Sequence, residues 1–297
     1  MIRVKVPATS ANMGPGFDCM GVAVGLYSIF GFRETEGGLS FKGFPEEFCN
    51  KDNIVYEAMM KCFDKANYKV KGLEISILKQ DIPISRGLGS SSSCIVGGLI
   101  GANEIMDRKF TKDEIFQMAV EIEGHPDNVA PAVLGGMVVA IEEADKCYYD
   151  KVNFKEEIKF VSIIPDFRLS TKEAREVLPK EISIKDGVYN VSRAALMVSA
   201  LSSGNLELLK VACRDSFHEN YRSKLIKGFD EVKNEANRVG ALATYLSGAG
   251  PTIMALISKD TEGFGEKMSA FLKEKSLNFD VHELSIDNVG AIVIEGE

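Results

Sequence analysis

The sequence predicts a two-lobe α+β protein, and three observations predict it. Segments with the two-residue period of strands and segments with the 3.6-residue period of helices occur in both halves of the 297 residues. The most Gly- and Ser-rich run joins a strand-like stretch to a helix-like one, where a flexible linker has no role. A charged segment at 142–159 is a candidate boundary, although it lacks the composition of a flexible linker. The expected lobes are residues 1–155 and 156–297.

The elements follow in order. Residues 1–8 alternate as a strand, and residues 20–32, rich in Val, Leu, Tyr and Phe, read as one or two more. Asn53 is placed to cap a helix running to about Ala66, with Ile54, Ala58, Cys62 and Phe63 on one side. Leu73, Ile75 and Ile77 alternate with Glu74, Ser76 and Lys79 as a half-buried strand. A Gly/Ser loop at 83–93 leads into an apolar helical run at 94–106. Thr111 with Glu114 forms a capping box, and Gly124 stands where that helix stops. Gly135-Gly136 precedes a strand at 137–141. Beyond the charged segment come a strand at 160–165 and helical stretches at 191–201, 206–215 and 224–239. The chain closes with a strand at 241–246, a Gly loop and a strand at 252–258. A helix at 261–275 and strands at 279–284 and 290–294 follow.

Composition narrows the function classes. The chain is 45% hydrophobic and 26% charged, as in ordinary globular proteins. A formal net charge of -8 argues against a nucleic-acid or anionic-membrane surface. Six cysteines lie far apart with no CxxC pair, and the chain has only three histidines. Neither a zinc site nor a disulfide framework is expected, and reduced thiols suit a cytoplasmic protein. The N-terminus lacks the apolar region of a targeting signal. No run approaches the ~18 apolar residues of a membrane span.

Four segments carry residue types suited to chemistry. Pro83-Ile84-Ser85-Arg86-Gly87-Leu88-Gly89-Ser90-Ser91-Ser92-Ser93 combines glycines that bring backbone N–H groups close to a ligand with hydroxyl donors and a following helix N-terminus. That pattern points to phosphate binding, although the GK[ST] ending of a Walker A loop is absent. The run 7–18 ends a strand in small polar residues, with Asn12 and Asp18 placed either to receive a substrate ammonium or hydroxyl or to close Asx turns. In Glu121-Ile122-Glu123-Gly124-His125-Pro126-Asp127-Asn128, two carboxylates at a helix end precede a His and an Asp-Asn pair across a turn. They suit Mg²⁺ and a substrate hydroxyl, or a solvated helix end offset by a Lys or Arg. Leu246-Ser247-Gly248-Ala249-Gly250-Pro251-Thr252, taken alone, reads as a hairpin turn.

Together, in this order and spacing, the segments resemble the GHMP kinase superfamily, over essentially the whole chain. The wording VPATSANMGPGFDCMGVAV, EGHPDNVAPAVLGG, LSTKEAREVLP and DSFHENYRSKLIKGF is similar to the superfamily's homoserine kinase branch. Ala249 stands where many members have Ser, and Met13 where many have Leu. The resemblance implies a two-lobe fold, with an N-terminal lobe like ribosomal protein S5 domain 2 and a ferredoxin-like C-terminal lobe. It implies ATP and Mg²⁺ as cofactors and L-homoserine as substrate, and it leaves a homodimer open. The whole loop from Pro83 to Ser93 would wrap the ATP phosphates, with Ser90 completing a Mg²⁺ shell around Glu121; Glu123 is the alternative. Asn12, Asp18, His125, Asp127, Asn128 and Gly248 would surround the amino-alcohol part. Thr171, Arg175 and Arg222 would come from the second lobe, the arginines on the carboxylate. Asp127, Asn128 and Arg175 would be the catalytic set, Asp127 positioning first and base second. Competing readings are a related kinase for mevalonate or a sugar, and a non-catalytic sensor that kept the fold. The sensor should have lost its phosphate loop or metal carboxylate, and both are present.

Overall fold

The computed structural model describes residues 1–153 and 158–295. Two sheets carry the fold. In the first, β1 (Ile2–Ala11) pairs antiparallel with β2 (Met20–Glu34), a single strand of 15 residues. β2 is long enough for two further partners. Its second half pairs with β4 (Gly72–Gln80), which runs parallel to β3 (Gly38–Lys42). Its start pairs with β5 (Met137–Glu143), which continues into a hairpin with β6 (Lys146–Val152).

Helices α1 (Ile54–Lys65), α2 (Ser90–Ile105), α3 (Lys112–Glu123) and α4 (Pro126–Leu134) share a core with this sheet. Asn53 caps α1 by accepting from the amides of Val55 and Tyr56, at 2.9 and 3.3 Å. The capping box at Thr111 and Glu114 is formed. α2 lies unusually close to the sheet. A Cβ on its Gly101 would fall 2.4 Å from the ring of Phe32, and one on Gly97 would fall 2.6 Å from that of Phe30.

The second sheet has the order β10-β7-β9-β8, all antiparallel, built from β7 (Ile158–Pro165), β8 (Ala243–Leu246), β9 (Ile253–Ser258) and β10 (Phe279–Leu284). Between β7 and β8 the chain passes through α5 (Thr171–Glu176), α6 (Ile184–Ser203), α7 (Leu209–Ala212), α8 (Glu219–Arg222) and α9 (Phe229–Arg238). α10 (Phe264–Glu274) connects β9 to β10, which completes the ferredoxin-like strand order. α9 and α10 bury Phe229, Val232, Phe264, Met268 and Leu272 against Ile163, Ile253 and Ile257. The last strand, β11 (Ile292–Ile294), returns to pair with β1. A further core cluster mixes Ala8, Met13, Val22 and Val24 with Phe160, Met197, Tyr245 and Leu256, so the two sheets share buried surface.

The structure differs from the sequence expectations in several places. α2 starts at Ser90, four residues before the predicted run, so the serines are helix residues and the loop ends at Gly89. Residues 126–134 are a helix where a turn was expected; Pro126 at its first position is the signal that betrays it. The charged segment holds strand β6. The predicted boundary at 155/156 lies outside the described residues. Glu74 and Ser76 are buried like their apolar neighbours, because Lys42 (2.7 Å) and Arg33 (3.7 Å) cover the carboxylate of Glu74. Among the described residues no helix is long and apolar enough to cross a membrane.

The contact of α2 with β2 makes a prediction against helix propensity. Glycine costs a helix about 1 kcal/mol relative to alanine, yet Gly101→Ala should destabilise the protein by about 1–3 kcal/mol through overpacking against Phe32. Urea denaturation measures this, and a gain in stability would show that the ring moves aside freely.

Candidate functional site

One cleft of about 350 Å³ lies where the four motif segments meet. Its centre is the loop at 84–89, and the carbonyls of that loop point away from the cleft's needs. Four consecutive ones are each taken by a donor from elsewhere in the chain. Ser85 O accepts from Leu169 N (3.1 Å), Arg86 O from Thr252 N (3.2 Å) and Leu88 O from Thr9 N (3.2 Å). Gly87 O accepts from the Ser247 hydroxyl at 2.6 Å. With the acceptors engaged outside, the loop has donors left to offer a ligand. The first helical bond across the start of α2 runs from Ser93 N to Gly89 O, so the amides before it have no helix partner. A helix N-terminus of this kind favours an anion.

The Ser247–Thr252 loop, read from sequence as a hairpin turn, does join β8 to β9, but it also binds the other segments. Gly248 N donates to Ala11 O (3.1 Å), and Gly248 O accepts from Asn12 Nδ2 and from Arg222 Nη1, both at 3.0 Å. The hydroxyls of Ser10 and Ser247 are 2.7 Å apart. Asn12 also accepts from Asp18 N at 3.1 Å, so the Asx-turn role and the site role coexist.

Charged groups also line the cleft. Arg175 grips Asp18 with two hydrogen bonds, 3.0 and 3.1 Å. Asp18, His125 and Asp127 offer polar atoms that all lie within 4.8 Å of one another. Asp127 is 3% exposed and holds His125 Nδ1 at 2.7 Å. Burial pushes the His125 pKa down, but the hydrogen bond and charge of Asp127, with Glu123 and Asp18, outweigh it and leave the imidazole above its ordinary value. Asn128 accepts from the Thr9 hydroxyl at 2.7 Å through Oδ1, which leaves its amide N–H groups for a ligand. Arg222 is 2% exposed; it donates through Nε to Ala174 O and through Nη1 to Gly248 O, both at 3.0 Å. Among the described residues it has no carboxylate within ion-pair distance. Burial, reinforced by the charge of Arg175, lowers its pKa to about 10.

The sequence expectations therefore meet the structure unevenly. Asn12, Asp18, His125, Asp127, Asn128, Thr171, Arg175, Arg222 and Gly248 all line the cleft, as do Ile84, Ser85, Arg86, Gly87, Gly89, Ser90, Ser91 and Ser92. Pro83, Leu88 and Ser93 do not. Leu88 is packed in the core shared by the two sheets, and the Ser93 hydroxyl turns back to Ser90 O. Arg86 borders the cleft, but its guanidinium donates to the carbonyls of Ile84, Pro165 and Asp166 and braces the loop against the second lobe. Glu121 is a correction. It points to solvent and pairs with Lys61 at 2.9 Å, whereas Glu123 lines the cleft and accepts from the hydroxyls of Ser91 and Ser92, each at 3.1 Å. Helical spacing explains it, since two residues apart on a helix means opposite faces.

Sequence reasoning missed one wall, made of Phe44, Pro45, Phe48, Ile54, Ile77, Gln80 and Cys94. No local signal marks these residues, because they come from four separate segments. It also missed the capping box of Ser170 with Glu173, which starts α5 and so aims Thr171 and Arg175; the rule that found Thr111 would have found it.

Comparison with known proteins gives a consistent family. Residues 53–136 match the model for the GHMP kinases N terminal domain, and residues 197–274 match that for the GHMP kinases C terminal. The chain is similar to the homoserine kinase of Clostridium beijerinckii, 68% identical over 296 residues, covering 100% of this chain and 99% of the relative. A homoserine kinase of Clostridium botulinum is 62% identical over 297 residues, covering both chains fully. The crystal structure of homoserine kinase from Cytophaga hutchinsonii superposes with a TM-score of 0.87 at 29% identity, covering 99% of this chain and 97% of the other.

The loop clamp predicts a site-specific sensitivity. Gly87 has φ +76, and a Cβ there would lie 2.4 Å from Ser247 O, whereas nothing lies within 4 Å of a Cβ on Gly37. Gly87→Ala should lower the unfolding free energy by at least about 1–2 kcal/mol, the left-handed penalty alone, while Gly37→Ala stays near neutral. Equal denaturation midpoints for the two variants would contradict the clamp.

Proposed function

We infer how this cleft works from one premise, that the chain belongs to the homoserine kinase family of the GHMP kinase superfamily. It is an ATP-dependent kinase that phosphorylates the side-chain hydroxyl of L-homoserine to O-phospho-L-homoserine, a step of threonine biosynthesis. The assignment of residues to that reaction is our proposal. The observation that carries it is Arg222, a buried guanidinium beside the phosphate loop that donates to carbonyls and, among the described residues, has no carboxylate within ion-pair distance. A buried charge with no carboxylate in direct contact is costly, even with Asp18, Asp127 and Asp215 acting on it from further away. The carboxylate of an amino-acid substrate supplies that direct partner, and a sugar has none to supply.

The proposed binding follows from charge. The amides of the loop at 84–89 and the amides and hydroxyls of the first turn of α2 receive the ATP phosphates, and the apolar wall around Phe44, Phe48 and Ile54 receives the base. The substrate carboxylate takes Arg222, joined by Arg175, and the ammonium takes Asp18. Arg175 and Asp18 neutralise one another at the cleft, and a zwitterion can replace that pair with each charge matched. Asn128 holds the reacting hydroxyl through its free N–H groups. Mevalonate, with a carboxylate and no ammonium, would leave Asp18 unmatched.

For Mg²⁺ the donor set fits. The Glu123 carboxylate and the hydroxyls beside it are hard oxygen ligands at the phosphate loop, and Glu123 has no lysine or arginine partner among the described residues. A Mg²⁺ ion held by Glu123 and these hydroxyls would supply neutralisation of the phosphate charge. The protein's remaining part is placement and electrostatics: the loop amides and the α2 N-terminus hold the phosphates, and Asn128 and the arginines hold the acceptor in line. Asp127 already holds His125, so it positions that corner and the hydroxyl proton passes to the phosphate.

Two measurements test these roles. In homoserine-dependent ADP release titrated with MgCl₂, Glu123→Gln should lose at least about 100-fold in turnover or require far more metal. Glu121→Gln should stay within about twofold, since its partner is a surface lysine. The reverse ranking would return the metal to Glu121. Asp127→Asn should keep more than about 1% of kcat, because a general base is worth about 10²–10⁴-fold. A deeper loss would make Asp127 the base.

A further inference from the structure

His218 has no part in the roles assigned above, yet it sits at the junction behind them. It is fully buried. Its Nε2 lies 3.1 Å from Gly14 O, in the loop that carries Asn12, Phe17 and Asp18. Its Nδ1 lies 3.5 Å from Arg222 Nη1. The ring stacks on Phe17 with centroids 5.3 Å apart, and Phe17 in turn lies 5.2 Å from the Arg222 guanidinium and 5.8 Å from that of Arg175.

The tautomer follows from the partners. A carbonyl only accepts, so Nε2 carries the proton that Gly14 O receives. The neighbouring acid does not compete for it. Asp215 Oδ2 is 3.8 Å from Nε2 and already accepts the amides of His218 and Glu219 at 2.7 Å each. Its Oδ1 accepts Asn190 Nδ2 and Phe217 N. Burial disfavours the imidazolium, against the opposing charge of Asp215, so the ring is neutral and Nδ1 is a bare acceptor. Arg222 can only donate. Its Nε is held by Ala174 O and its Nη1 by Gly248 O and His218, which leaves Nη2 for a ligand.

We propose that His218 is a positioning residue for homoserine: in its neutral Nε2–H form it couples the 13–18 loop to Arg222 and fixes the direction in which Nη2 meets the substrate carboxylate. Of the groups that the His218 ring touches, Arg222 is the one proposed to meet the substrate carboxylate, and none belongs to the phosphate loop. The inference rests on Arg222 holding the carboxylate.

The test is a double-mutant cycle on the full-length enzyme. His218→Phe keeps an aromatic ring against Phe17 and removes both nitrogens; it should raise the KM for homoserine about 5- to 30-fold, the upper part of the range for residues that couple to a site without touching its ligand. The KM for ATP and kcat should stay within about threefold. His218→Asn, whose amide oxygen falls near Nδ1, should recover part of the loss. Added to Arg222→Gln, His218→Phe should raise the homoserine KM no further. Additive effects, or equal losses for both substrates, would reduce His218 to general packing and overturn the proposal. If Arg222→Gln itself leaves the homoserine KM unchanged, the carboxylate reading fails first. Nitrogen-15 NMR of the wild-type protein, with three histidines to assign, gives a readout independent of any variant's folding. An Nε2–H signal for His218 is expected, and an Nδ1–H or doubly protonated ring would overturn the proposal.

Discussion

Four adjacent carbonyls, Ser85 to Leu88, each engaged by a donor from outside their loop, are the constraint on which the rest of this structure depends. A glycine-rich loop is costly to order, because glycine loses the most conformational freedom on folding. Here the ordering is imposed from three directions, by β1, by the segment before α5 and by the β8–β9 loop. Arg86 adds a fourth brace through its own side chain. The loop is thereby shaped before a ligand arrives, and its binding free energy is not spent on ordering backbone.

The same bonds bring the two lobes together. Ser247 and Thr252 come from the loop between two strands of the second sheet and Thr9 from the first sheet, so the clamp that shapes the loop also fixes the distance between the parts of the cleft proposed for phosphate and for amino acid. Phosphoryl transfer depends on that distance, since alignment supplies much of the rate. Gly248 carries the link further: its carbonyl is shared by Asn12 and Arg222, one from each lobe.

Electrostatics divides the cleft in a way that matches its chemistry. Amide donors and a helix terminus line the part of the cleft proposed for the phosphates, while Asp18, Arg175 and Arg222 are charged side chains of the part proposed for the zwitterion. The Asp18–Arg175 pair is partly exposed and contributes little to stability on its own. Arg222 is different in kind. Its buried charge has carbonyl oxygens and the face of Phe17 as direct partners, while Asp18, Asp127 and Asp215 favour it from further away.

Much of the fold was legible from local pattern. The cap at Asn53, the Thr111 capping box, the α3 stop at Gly124 and strand β10 are encoded within a few residues of where they occur. So was the composition of the phosphate loop and the resemblance it supports. Tertiary structure decided what local pattern leaves degenerate. Glu121 and Glu123 are chemically alike, and only the packing of α3 against α1 and α2 turns one toward Lys61 and the other toward Ser91 and Ser92. The apolar wall at Phe44, Phe48 and Ile54 and the isolation of Arg222 have no sequence signature, since each arises from segments far apart in the chain. Sequence by itself determined which groups exist and which helices and strands hold them, because those follow from periods of two and 3.6 residues and from caps. Direction, burial and partner came from the folded chain, because desolvation and hydrogen-bond geometry depend on neighbours that local spacing does not name.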